Sequence, residues 1–90
     1  MTEKLEIERL DEMLTEAGIK HSFNIEYHGV IMRSIRVGLG NQQFSVIQHS
    51  NGSHGCEQGL CEMWNFKYEE PYYHGMTAQE CFDEIREAMT

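Results

Sequence analysis

Hydrophobic residues recur with two different periods along this 90-residue chain, and the change of period restricts what it can fold into. At the amino end Ile7, Leu10, Met13, Leu14 and Ala17 follow helical spacing. Thr2 stands as an N-cap and Gly18 as a C′ stop, so the spacing predicts a helix over about residues 3–17. At the other end Thr77 and Glu80 make a capping box ahead of Ala78, Cys81, Phe82, Ile85 and Met89, which predicts a helix over residues 77–89. Between them the period drops to two. Phe23, Ile25 and Tyr27 alternate with polar residues, residues 30–37 are β-branched and apolar, and residues 43–49 carry Phe44, Val46 and Ile47. In residues 60–67 Trp64 and Phe66 alternate, with Tyr68 just beyond. His28-Gly29 and residues 38–41 read as turns, residues 50–59 as a glycine loop, and residues 68–75 as a loop around the sole proline, Pro71. The order α-β-β-β-β-α implies an α+β fold: a four-stranded antiparallel meander with both helices packed on one face, in a single domain over residues 1–90.

Charge is unevenly spread. Residues 1–17 hold six acids against Lys4 and Arg9, residues 69–90 hold six against Arg86, and residues 18–56 carry only Glu26 against Lys20, Arg33 and Arg36. The net charge of −8 argues for solubility and against direct binding to nucleic acid or an anionic membrane. No apolar run is long enough to span a bilayer. Three cysteines, Cys56, Cys61 and Cys81, and no signal peptide fit a reduced cytoplasm. Arg33 and Arg36 differ in parity, so a regular strand sends them to opposite faces.

The stretch from His49 to Trp64 concentrates chemistry. Gly52, Gly55 and Gly59 fall within eight residues, among two histidines, two cysteines, two glutamates and the only tryptophan. Zinc is one reading, with His49, His54, Cys56 and Cys61 as donors. Their spacings are not the paired short knuckles of structural sites, so no metal or other cofactor is expected. Ser53 beside His54, with Glu57 or Glu62 near, offers nucleophile chemistry. Adjacent residues rarely reach nucleophile–base geometry, however, and no strand-turn-helix elbow precedes Ser53, so no catalytic residue is assigned. Binding of an anionic or nucleotide ligand suits the composition better. Successive N–H groups around Gly52 and Gly55 can form an oxyanion nest, and Ser50 and Ser53 add hydroxyls. His54 or Trp64 can stack on a base, and Glu57 and Glu62 can accept from sugar or base. The plainer alternative makes Gly52, Gly55 and Gly59 a tight turn with solvated glutamates. The candidate ligand site is therefore Ser50, Gly52, Ser53, His54, Gly55, Glu57, Gly59, Glu62 and Trp64.

Three runs, Leu10–Ile19, Gly52–Glu62 and Met76–Ile85, resemble in their order a family of small uncharacterised proteins from phages and prophages of gut Firmicutes. The family's central pattern is similar to Gly-Ser-Tyr-Gly-x-Glu-x-Gly-Leu-Leu-Glu. This chain has His54 where tyrosine is usual and Cys61 where leucine is usual, which reads Cys61 as core; residues 28–45 match poorly. The resemblance implies a phage accessory protein acting in the cytoplasm of the infected bacterial host, and counter-defence is the expectation it raises. Without a catalytic set, the lead expectation is non-enzymatic sequestration of a nucleotide-derived immune signal. The alternative is an acidic inhibitor of a host defence enzyme, such as a CRISPR effector, working through its helices. A symmetric homodimer would add burial to so small a chain.

Overall fold

In the computed structural model residues 5–27, 29–39, 42–50, 59–66 and 72–89 are described. Helix α1 (Glu6–Glu16) leads into strands β1 (Ser22–Tyr27), β2 (Ile31–Leu39), β3 (Gln42–His49), β4 (Cys61–Asn65) and β5 (Tyr72–Met76), and helix α2 (Ala78–Ala88) follows. The strands form one antiparallel meander in the order β1-β2-β3-β4-β5. The α+β class and the one-sided helix layer agree with the reading of the sequence; the strand count does not.

The fifth strand falls where the sequence reads as the loop 68–75, and the pairing shows why. Cys61 opposes Met76 while Met63 opposes Tyr73, so β5 carries one more residue than β4 over this stretch. Within that stretch Gly75 is left-handed, at φ 58. A bulge of this kind shifts side-chain parity within a strand, so a period of two is broken at the place one would look for it.

Local chemistry sets the helix ends. Thr77 is the N-cap of α2: its hydroxyl accepts from the Glu80 N–H (3.2 Å), and the Glu80 carboxylate accepts from the Thr77 N–H (3.0 Å). Glu6 reaches across from α1 to accept from the Ala78 N–H (3.2 Å), placing an acid at the positive end of α2. Helix α1 begins later than its hydrophobic stripe suggests. Its N-cap is Leu5 and not Thr2, which lies outside the described residues, and only half a capping box forms, from the Leu5 N–H to the Glu8 carboxylate (3.0 Å). Its far end is a Schellman motif, with the Ile19 N–H bonded to the Leu14 carbonyl and the Gly18 N–H to the Thr15 carbonyl. Gly18 supplies the left-handed residue this requires, at φ 73. His21 then ties the exit from α1 back to it, its ring nitrogens facing the Ile19 carbonyl (2.8 Å) and the Asp11 carboxylate (2.6 Å).

The core lies between the helix pair and one face of the sheet. Ile7, Leu10 and Leu14 of α1 and Cys81, Phe82 and Ile85 of α2 meet Ile35, Val37, Phe44, Val46, Cys61 and Met63. Met89, on the same sequence stripe as Phe82, lies past the end of α2 and is exposed. At one end of the β3–β4 pair the buried Asn65 accepts from the Gln42 side-chain amide (2.8 Å). Eleven helical residues span only about 16 Å, whereas the nine of β2 span about 30 Å. The outer end of the β1–β2 hairpin therefore projects past the helices, with Ile25, Tyr27 and Ile31 exposed. Among the described residues no helix is long and apolar enough to cross a membrane.

Two glycines with open space around their Cβ positions separate conformation from packing. Gly18→Ala is expected to lose about 1 kcal/mol from the left-handed strain, whereas Gly38→Ala, at ordinary strand φ, should be neutral or stabilising. Urea midpoints of the two variants check this.

Candidate functional site

Strand parity assigns each side chain of β4 to a face. Cys61, Met63 and Asn65 point into the core, so Glu62 and Trp64 point to the face without helices. Trp64 is 40% exposed there. Glu62 is 3% exposed although no helix covers that face. The indole N–H of Trp64 donates to Glu62 Oε1 at 2.9 Å, while Glu62 Oε2 is buried with no hydrogen-bond partner among the described residues. A buried carboxylate oxygen without a donor is costly, by several times the net value of a formed bond. It stands ready to accept a hydrogen bond from something else.

The register extends this pair across the sheet. Trp64 is opposite Ser45, Ser45 opposite Arg36 and Arg36 opposite Ser22, all on the helix-free face. Glu62 is opposite Ile47, which is opposite Ser34. Arg36 is exposed, two strands or about 10 Å from Trp64. Arg33 points to the helix side, so the parity question posed by the two arginines resolves in favour of Arg36 on this face. Phe66, just past β4, lies with its ring 5.8 Å from that of Trp64 and tilted by 46°.

Of the site residues expected from the sequence, Gly52, Ser53, His54, Gly55 and Glu57 lie outside the described residues. Two that are described have other work. The Ser50 hydroxyl accepts from the Ile31 N–H (3.1 Å) and the Ser50 N–H donates to the Ile31 carbonyl (2.9 Å), so Ser50 fastens the start of β2 to the end of β3. Gly59 is left-handed, at φ 79, and a Cβ there would touch Leu5 at 3.4 Å, so it turns the chain into β4 beside the start of α1. Glu62 and Trp64 are brought together. Sequence reasoning left open which of Arg33 and Arg36 could face a ligand and did not single out Ser45, whose place beside Arg36 only the strand register shows.

Of the zinc donors read from the sequence, His54 and Cys56 lie outside the described residues, and His49 and Cys61 are on opposite faces of the sheet. His49 shares the parity of Ser45 and Ile47 and lies on the helix-free side, whereas Cys61 sits in the core beneath the helices. Among the described residues no three His, Cys, Asp or Glu side chains form a metal-holding group. Cys61 instead meets Cys81 of α2. A hydrogen bond to Cys81, then burial, then the nearby charges of Cys81 and Glu6 push the Cys61 thiol far above its ordinary range, which suppresses the reactive thiolate.

A groove of about 320 Å³ lies between the helices, lined by Glu6, Arg9, Glu12, Met13, Glu16, Ala78 and Gln79. Arg9 pairs with Glu6 at 3.3 Å, leaving the groove acidic on balance. Comparison with protein-family models, with curated proteins and with solved structures finds no match for this chain.

In a Cys56→Ser background, Cys61 and Cys81 are expected to stay unreactive toward a thiol reagent in the native protein and to titrate together on unfolding. Ellman's assay with and without denaturant reads this directly; fast reaction of either thiol in the folded protein would contradict the buried pair.

Proposed function

We propose that this protein binds a nucleotide-derived ligand on the helix-free face of its sheet and holds it without turnover. In the setting that the phage-family resemblance implies, that activity withdraws a nucleotide-derived immune signal from the host. The observation that carries the reading is the Glu62–Trp64 pair. An exposed indole offers a stacking surface, and beside it a fixed carboxylate has an acceptor oxygen lacking a donor. Stacking of a base on an aromatic side chain contributes about 1–3 kcal/mol. Base N–H groups or sugar hydroxyls are the donors a carboxylate takes. Arg36 lies at a distance suited to a phosphate on the same ligand, with the Ser45 hydroxyl between. Because Oε2 is closed off from water, a ligand reaches it only as its cover shifts, and the sole tryptophan, bonded to the same carboxylate, reports that change.

The acidic groove between α1 and α2 favours the second reading, a surface that docks on a basic host defence protein. That reading places the decisive residues on the opposite side of the molecule.

Tryptophan fluorescence and calorimetry against cyclic and ADP-ribose-derived nucleotides test the first reading. Wild-type protein should bind one of them saturably and release it chemically intact. Trp64→Ala should weaken binding by about 5- to 150-fold, the range of one lost stack. Glu62→Gln presents an amide where an acceptor is needed, so it should lose binding without lowering the melting temperature. The double change Glu12→Lys, Glu16→Lys should leave binding within a few-fold; Glu8 is spared because it caps α1. A panel with no binder, together with defence-enzyme inhibition that vanishes in the double variant, would replace this reading with the second.

A further inference from the structure

The two edges of the sheet are unlike. β5 is bulged, with left-handed Gly75 in the irregular stretch, and a bulge twists an edge away from further pairing. β1 has no such device. It contains no proline and no lysine, and its ladder with β2 runs unbroken from Ser22–Arg36 to Tyr27–Ile31. Its outer backbone groups have no strand partner among the described residues. Its single charge, Glu26, is on the helix-free face. On the helix side, Ile25 is 62% and Tyr27 75% exposed, with exposed Ile31 across from Tyr27. A long, flat, apolar free edge pairs with another strand unless something prevents it.

We propose that a second copy of this chain covers it: two β1 strands pair antiparallel about a two-fold axis, joining two five-stranded sheets into one of ten strands. The strand's own sequence selects the register. Cross-strand partners share a face, and a two-fold axis normal to the sheet keeps both helix layers on one side, so odd residues must face odd. Centring on Glu26 would oppose two carboxylates. Centring on Asn24 would leave Tyr27 opposite a residue before the strand begins. Centring on Ile25 sets Ile25 against its own copy and Phe23 against the partner's Tyr27, with Asn24 opposite the partner's Glu26. An apolar strip then runs unbroken across the seam on the helix side.

Size sets the strength. An edge about 20 Å long on a body 20 Å thick offers at most roughly 400 Å² per copy, about half of a standard specific contact. The dimer is therefore reversible, with dissociation on the order of micromolar. Each copy carries a charge of −8, so added salt tightens it. The seam is three strands, about 14 Å, from Trp64 and is independent of ligand binding there.

Sedimentation of the intact protein from low to high micromolar concentration should show a monomer–dimer equilibrium that shifts toward dimer with salt. Tyr27→Lys should be monomeric throughout with an unchanged circular dichroism spectrum and unchanged ligand response. In a Cys56→Ser background, Ile25→Cys should convert to a covalent dimer with oxidised glutathione, two protein thiols forming one disulfide while the reagent is reduced to two glutathione thiols. Asn24→Cys should not, since its copy lies about 7–8 Å away between Cβ atoms, beyond disulfide reach. A wild-type protein monomeric at every concentration, or equal crosslinking at both positions, overturns the proposal.

Discussion

Burial of one stripe from each helix against the same face of β2, β3 and β4 holds this structure together. Leu10 and Leu14 from one side and Phe82 and Ile85 from the other close over Ile35, Phe44, Val46 and Met63. Each such side chain contributes about 1.5–3 kcal/mol relative to exposure, against about 1 kcal/mol for a cap. The caps decide where the helices begin and end, and the shared core decides that they pack. Because both helices go to one side, cross-strand pairs are what the described residues supply on the other face of the sheet. That asymmetry leaves the Trp64 indole exposed on the face without helices, with the Glu62 carboxylate bonded beside it.

The same asymmetry polarises the surface. Most acids outside the sheet lie on the helices, with the acidic groove between them, while the bare face carries Ser45, Ser34, Trp64 and Arg36. The nucleotide reading and the protein-inhibitor reading thus occupy opposite sides of a thin molecule. An anionic ligand approaching the bare face meets the side with fewer acids, so a net charge of −8 does not exclude it.

Much of the fold was legible from local chemistry. Thr77 and Glu80 announced α2, and Gly18 ended α1 through the hydrogen bonds its position implied. The fifth strand was hidden because Tyr73 and Met76 both meet the core face from an odd spacing, which only a bulge reconciles. The site was legible in part. Glu62 and Trp64 stood out as residue types, but their meaning depends on which face of the sheet the helices leave open. The bond from the Ile31 N–H to the Ser50 hydroxyl was not legible because the two residues are nineteen apart. Arg36 was one of two arginines of opposite parity, and parity has no sign until a partner strand supplies it.

The amide pair of Gln42 and Asn65 has a consequence for how the chain finds its alignment. Sliding β4 along β3 by two residues would keep every apolar side chain on its proper face, so hydrophobic pattern alone does not forbid the error. A slip that set Asn65 against Val46 would draw the buried Asn65 away from Gln42 and lose that hydrogen bond, at a cost of about 0.5–1.5 kcal/mol. One polar contact within an apolar layer thereby acts as a proofreader, rejecting a misaligned sheet that oil-like packing would accept. The indole on the next rung, opposite Ser45, inherits its position from that check.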